Sequence, residues 1–213
     1  MALGPAPSLC LTDRAVPSVV IRPAATVILL RRLKDACQIL MGQRGHAAVF
    51  MPAKFVFPGG GVDAGDDAAH SFSAQCHRRL QQACPPGAPP PEALAGCALR
   101  ELREETGLAL RPASPLRFVF RAITPAGLPR RFDARFFLAE ASDLHTDPDD
   151  FSQASDELSH LQWVGLARAK ALDLPFITEI VLAEVAALAA GHDQPGVPFF
   201  DNSGPSPAFR RLL

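Results

Sequence analysis

An α/β fold is predicted by three observations. Short apolar runs rich in strand formers recur at residues 24–30, 37–41, 116–123 and 131–139. Two further segments, 91–108 and 175–190, carry the three-to-four-residue apolar period of a packed helix. The third observation is bulk: 213 residues, 48% of them hydrophobic, suffice for one substantial core.

Residues 1–20 hold Pro5, Pro7 and Pro17 and form an irregular lead-in to a single domain at 21–192, followed by a tail at 193–213. The run AATVILL at 24–30 is a central strand, 31–35 a turn, and 37–41 the returning strand, which ends at Gln43-Arg44. Arg44 is a candidate for substrate phosphate, since a guanidinium matches phosphate oxygens as a fork. At a strand end, an arginine more often simply meets water. Residues 51–58 lead into Gly59-Gly60-Gly61, a turn whose glycines permit positive φ and let backbone pass close to a bound group.

An insertion follows at 67–91. Residues 68–83 predict a helix with Phe72, Cys76 and Leu80 on one stripe. The run from Pro85 to Pro91 then breaks it and returns the chain stiffly. The expected role is a cap beside the substrate groove. Strands at 116–123 and 131–139 flank a Pro/Gly loop, with Arg130, Arg131 and Arg135 as candidates for a phosphate contact or a solvated hairpin end. Residues 143–156 are acidic and loop-like, and the 175–190 helix stops at Gly191. The tail, around Phe199 and Phe200, is expected to be turn-rich. It folds back on the groove or meets another chain, which leaves a homodimer open.

The 91–108 helix organises the rest. Glu101, Glu104 and Glu105 stand three and four residues apart, spacings that gather side chains on one helical face. Like charges so placed repel, by a few tenths of a kcal/mol per pair, and a divalent cation among them removes the penalty. Carboxylate oxygens suit Mg²⁺ or Mn²⁺. The opposite stripe, Leu94, Ala98 and Leu102 with Ala95 and Leu99, packs on a core, and Gly107 supplies the stop. Arg100 lies four residues before Glu104, within reach to orient it. For an isolated RELREE string, a solvated, salt-bridged face is the competing reading; the surrounding constellation favours the metal.

With Glu92, seven residues, and then Arg100 to Leu108 (RELREETGL), the chain resembles the second half of the Nudix box. Phe57 to Asp66 (FPGGGVDAGD) resembles the first half, with Asp66 where that family usually has Glu. In the compact motif the arginine falls eight residues after that acid, at 66 + 8 = 74. It stands at 100, so 100 − 74 = 26 residues are inserted. Glu92 also has the acid's spacing to Arg100, so either Asp66 or Glu92 takes its place. The long insertion is similar to the branch that contains the peroxisomal coenzyme A diphosphatase.

The resemblance implies a Nudix-type α/β/α sandwich with a mixed sheet and metal-dependent hydrolysis of a diphosphate bond in a nucleoside diphosphate-linked compound. The implied site has Glu101, Glu104 and Glu105 on Mg²⁺ or Mn²⁺, Arg100 fixing Glu104, and Glu104 or Glu157 as the base. Gly59, Gly60, Gly61, Arg44 and Arg131 would meet substrate. Branch likeness points to coenzyme A or acyl-coenzyme A. The alternatives are damaged nucleoside triphosphates, nucleotide sugars or dinucleotides, or a non-catalytic nucleotide-binding module. Net charge of −1 advertises no nucleic acid or anionic membrane, and no apolar run reaches a membrane span. Five cysteines without a close pair favour the reducing cytoplasm.

Overall fold

The computed structural model describes residues 19–67, 72–112 and 114–213. The expected lead-in therefore falls almost wholly outside the described residues. In chain order the elements are β1 (Ile21–Arg32), β2 (Cys37–Arg44), β3 (Phe55–Val56), β4 (Gly59–Gly61), α1 (Ala74–Gln81), α2 (Pro91–Thr106), β5 (Arg117–Ile123), β6 (Arg131–Glu140), β7 (Leu158–Gly165), α3 (Leu166–Ala169), α4 (Phe176–Ala189), β8 (Val197–Asp201) and β9 (Ala208–Leu212).

β1 is the axis. Ala25, Val27 and Leu29 enter one apolar cluster with Leu94, Ala98 and Leu102 of α2; Ile28 and Leu30 enter a second with Val181, Leu182 and Val185 of α4. A strand covered on both faces must be apolar on both, and AATVILL is. Each such leucine or isoleucine, fully buried, contributes about 1.5–3 kcal/mol. The result is the expected α/β/α sandwich.

The sheet runs β3-β2-β1-β6-β5-β8-β9, with β4 also on β1 and β7 also on β2. β1 and β6 pair in parallel from Ile21↔Arg131 to Leu30↔Glu140, and β5 and β8 are parallel too; the other pairs are antiparallel. The sheet is thus mixed, as the resemblance implies.

Three expectations need correcting. Gly59–Gly61 is not a turn but a short strand, paired Thr26↔Gly59 to Ala24↔Gly61, and none of its glycines has positive φ. The tail is not irregular: β8 and β9 form a hairpin that extends the sheet, Phe199 facing one cluster and Phe200 the other. Two adjacent phenylalanines facing opposite ways, beside Pro198, blur the strand period in the sequence. Lastly, none of the insertion's described residues lines the groove that holds Glu101 and Glu104. Its helix begins at Ala74, where Ser73 Oγ accepts the Cys76 N–H, and Leu80 packs into the α2-side cluster.

Candidate active site

Pro91 starts α2, where its fixed φ suits the first turn and its missing N–H costs nothing. Gly107 ends the helix at φ 75°, its N–H donating to the Arg103 carbonyl at 2.9 Å. Burial of Leu94, Ala95, Ala98 and Leu102 fixes the helix's rotation. That rotation delivers Arg100, Glu101 and Glu104 to the groove and drives Glu105 inward, 2% exposed.

The glycine strand meets those acids directly. The Gly59 N–H donates to Glu105 Oε2 at 2.8 Å. A Cβ at Gly60 would collide with the Glu101 carboxylate, and one at Gly59 would lie 2.5 Å from Thr26 Oγ1 and 2.6 Å from the Ala25 carbonyl. Close approach, not φ, is what these two positions require.

Arg100 is the hub. Its Nε and a terminal nitrogen donate to the two oxygens of Asp66 at 2.7 and 2.9 Å. The other terminal nitrogen reaches Glu101 at 2.9 Å and Glu104 at 3.0 Å, and the Gly61 carbonyl accepts at 3.0 Å. Hydrogen bonding to Asp66, foremost, raises the Arg100 pKa, and the same contact lowers that of Asp66. Glu92 instead lies 3.7 Å from His77, both half-exposed. Asp66, not Glu92, partners the box arginine.

For Glu101 and Glu105, burial and the neighbouring acids disfavour the charged form. Burial pushes the Glu105 carboxyl up to about 8, with the Glu101 and Glu157 charges adding to it and the Gly59 N–H and Arg44 opposing. Burial likewise raises Glu101, against Arg100, with Glu104 and Glu157 contributing. Glu157 lines the groove beside Glu101 and Glu104.

Arg44 also lines the groove, and its buried Nε has no hydrogen-bond partner among the described residues, as befits a ligand-seeking guanidinium. Arg131 does not reach it. That side chain is 9% exposed and donates to the Thr124 and Asn202 carbonyls, tying the hairpin to the tail; its neighbour Arg130 lines the groove instead. Strand alternation explains the swap, and also Arg22, which sequence reasoning passed over as a site residue. Arg22, Ala24 and Thr26 face the groove from β1, as do Phe132, Ala134 and Phe136 from β6. Phe50, Phe57 and Ile177 complete an apolar wall. No sequence signal marked that wall, because its parts come from five separate stretches.

Among the described residues, no three acids, histidines or cysteines stand ready-made as a cation cage. The donor set nevertheless fits a hard divalent ion: all its atoms are carboxylate oxygens. The unbalanced charge at Glu101, Glu105 and Glu157 is what such an ion offsets, and Glu104, 56% exposed, can swing off Arg100 at small cost.

Residues 82–185 match the family described as NUDIX domain. That span is 104 of the 213 residues, and over it the chain resembles the family. The match starts beyond the glycine strand and Asp66, which the fold returns to α2 from outside the matched span. No curated protein matches the chain. Among solved structures, it is similar to a NUDIX hydrolase from Alicyclobacillus acidocaldarius at 25% identity and TM-score 0.60, covering 79% of this chain and 92% of that one. A C. elegans Ap4A hydrolase shares the fold at 20% identity and TM-score 0.56, with 80% and 99% covered. So does the NUDIX domain of Shewanella oneidensis NrtR, solved with ADP ribose, at 13% identity and TM-score 0.54, with 80% and 89% covered. The matched span and the Alicyclobacillus neighbour support a pyrophosphohydrolase. No helix among the described residues is long and apolar enough to cross a membrane.

Proposed function

We propose that the protein hydrolyses the diphosphate bond of a nucleoside diphosphate-linked compound, with Mg²⁺ or Mn²⁺ held by Glu101, Glu104 and Glu105. The observation that carries this reading is the reunion of a split motif. Across the insertion, Gly59 binds Glu105, Gly60 abuts Glu101, and Asp66 grips Arg100. When bound, such an ion supplies positive charge beside the phosphate oxygens and acidifies water.

The chain's own residues do the rest. Arg100 positions Glu101 and Glu104 by direct hydrogen bonds. Glu104 or Glu157 takes a proton from the attacking water, whose oxygen forms the new bond to phosphorus as the bridging P–O bond breaks. The leaving phosphate is a good enough leaving group to need no acid. Arg44, through its unpartnered Nε, holds the substrate's phosphate.

For the substrate we propose coenzyme A or acyl-coenzyme A, cleaved to phosphopantetheine and adenosine bisphosphate. Likeness to the long-insert branch supports it, and so does the apolar wall of Phe50, Phe57, Phe132, Phe136 and Ile177, which suits a pantetheine or acyl arm. The thiols of Cys37, Cys76, Cys84 and Cys97 are free, in keeping with a cytoplasmic enzyme. The test is a panel of coenzyme A, acetyl-coenzyme A, ADP-ribose, a dinucleoside polyphosphate and a nucleoside triphosphate, each with Mg²⁺ and with Mn²⁺. The expected result is a kcat/KM for the coenzyme A pair at least about tenfold above the others, a discrimination of about 1.4 kcal/mol. Equal or faster cleavage of ADP-ribose or the dinucleotide sinks the coenzyme A assignment.

A further inference from the structure

On the sheet face opposite the groove, β5 and β6 bury three charged side chains, Arg121, Asp133 and Arg135. The two Asp133 oxygens accept from Arg121 at 2.8 and 2.7 Å, and one also meets Arg135 at 2.9 Å. Both arginines are 1% exposed. Two guanidiniums against one carboxylate leave a formal +2 − 1 = +1 inside the protein, where a lone charge is costly. Asp201 faces the same space and feels the Arg121 charge, but its carboxylate already accepts from Ser203 and pairs with Arg210.

The two arginines differ in how they are satisfied. Arg121 gives its remaining hydrogen bonds to the Gln82 and Ala83 carbonyls and stacks on Phe199. Among the described residues, Arg135 reaches only the Asp133 side chain and carbonyl and the Cys84 sulfur, at 3.5 Å, and its buried Nε has no partner. Burial depresses its pKa, and the neighbouring Arg121 charge adds to that.

These side chains line a cavity of about 480 Å³ roofed by insertion residues 83–89. Ile21, Ile123 and Phe199 give it apolar sides. The roof is fixed with some strain: Ala83 has φ 52°, a left-handed conformation rare for alanine, and its carbonyl is one of those that cap Arg121.

We propose that this cavity is a second binding site, for the anionic group, carboxylate or phosphate, of a small ligand whose apolar part lies against Ile123, Phe199 and the proline roof. The anion balances the extra guanidinium charge and gives Arg135 Nε its missing acceptor. Residues 83–89 of the insertion are the lid of this site.

The full chain, in EDTA, is titrated calorimetrically with inorganic phosphate and, separately, with acetate. At least one anion is expected to bind the wild type. Affinity should fall on the order of tenfold, the worth of a charged hydrogen bond, in Arg135→Met and in Ala88→Trp, whose indole fills the cavity. It should persist in Arg44→Ala, which removes the competing anion contact at the groove. Binding of phosphate alone assigns a phosphate group, of acetate alone a carboxylate, and of both a site open to either. Silence from both anions, or affinity lost in Arg44→Ala but kept in Arg135→Met, overturns the proposal. If Arg135→Met does not fold, Ala88→Trp on the exposed roof decides alone, and unchanged affinity there overturns it equally.

Discussion

Replacing Asp66 by Asn separates the two acids that the sequence left in competition. The Asp66 side chain is 3% exposed and accepts two hydrogen bonds from Arg100 and one, at 2.8 Å, from the Asp63 N–H. An amide of the same shape keeps one acceptor but turns two N–H donors toward a guanidinium that can only donate. Hydrogen bonds to charged groups contribute about 1.5–3 kcal/mol each. Breaking a buried pair can cost about 3–5 kcal/mol when the partner is stranded. Arg100 is not stranded, since Glu101, Glu104 and the Gly61 carbonyl still hold it. The lower range applies, about 2–3 kcal/mol, or a fall in Tm of about 4–12 °C for a domain of this size. Released from Asp66, Arg100 turns more of its charge on Glu101 and Glu104 and competes with the divalent ion for them. Half-saturating metal should therefore rise, and kcat/KM should drop about ten- to a hundredfold. The companion Glu92→Gln loses only an exposed 3.7 Å contact with His77, so stability should stay within about 0.5 kcal/mol and metal dependence unchanged. Thermal melts and metal titrations of both variants check this. Equal losses from the two, or a silent Asp66→Asn, would refute the assignment of Asp66 to Arg100.

Glu105 sets a pH slope. Its folded pKa, about 8, lies above the ordinary 4.5, so the folded state binds the proton more tightly. Stability is then fullest at low pH and lost as pH climbs through that window, by up to about 1.4 kcal/mol per unit in metal-free protein. Glu105→Gln should flatten the slope in denaturant titrations at pH 5 to 8, and saturating Mg²⁺ should flatten it in the wild type. Glu104→Gln should lower kcat at least about a hundredfold with Tm within about 2 °C, since the side chain is 56% exposed; activity within a few-fold removes Glu104 from the site. Gly96→Ala gains about 1 kcal/mol of helix propensity, but its Cβ would stand 2.7 Å from the Asp67 nitrogen, and overpacking costs about 1–3 kcal/mol. A net loss of about 1 kcal/mol with a weakened metal response is expected by calorimetry, and net stabilisation would show that the loop yields freely.

What was legible in the sequence followed from periodicity and spacing. β1 and α2 were readable because one is apolar on both faces and the other carries a clean stripe beside three glutamates. Glu105's burial was not, because helical spacing groups three acids on a face without telling which edge of that face is covered; the glycine strand covers it. The Arg130–Arg131 assignment failed on a one-residue matter. In a strand, adjacent side chains point oppositely, and the end of a Pro/Gly hairpin gives no clue to the phase. The hairpin β8–β9 stayed hidden since its partner β5 is more than seventy residues earlier, and its alternation is broken by VPFFD. Arg135 read as a phosphate contact or a solvated hairpin end and Arg121 and Asp133 drew no reading, because nothing in a sequence shows that a roof will come down over them.

The insertion is tolerated because of where its ends lie. A Cβ at Gly96 would touch the backbone of Asp66 and Asp67, so the chain at the start of the insertion already rests on the middle of α2. Pro91, where the chain re-enters the helix, is five residues back along the same axis, about 7.5 Å at 1.5 Å per residue. The excursion leaves and returns within one helix's length, and loop closure then costs only about 0.6 kcal/mol for each doubling of its size. The same contact answers for the shorter acid. Asp carries one methylene fewer than Glu, and an approach this tight to a glycine is how the loop brings its carboxylate to 2.7 Å from Arg100. Gly96, Asp66 and Arg100 therefore work as one unit. Asp66→Glu should lose its fit to the guanidinium in the wild-type background, and combining it with Gly96→Ala, which pushes the loop outward, should recover part of the metal affinity that each single change loses. Strict additivity of the two changes in a double-mutant cycle would break that link between the glycine and the acid.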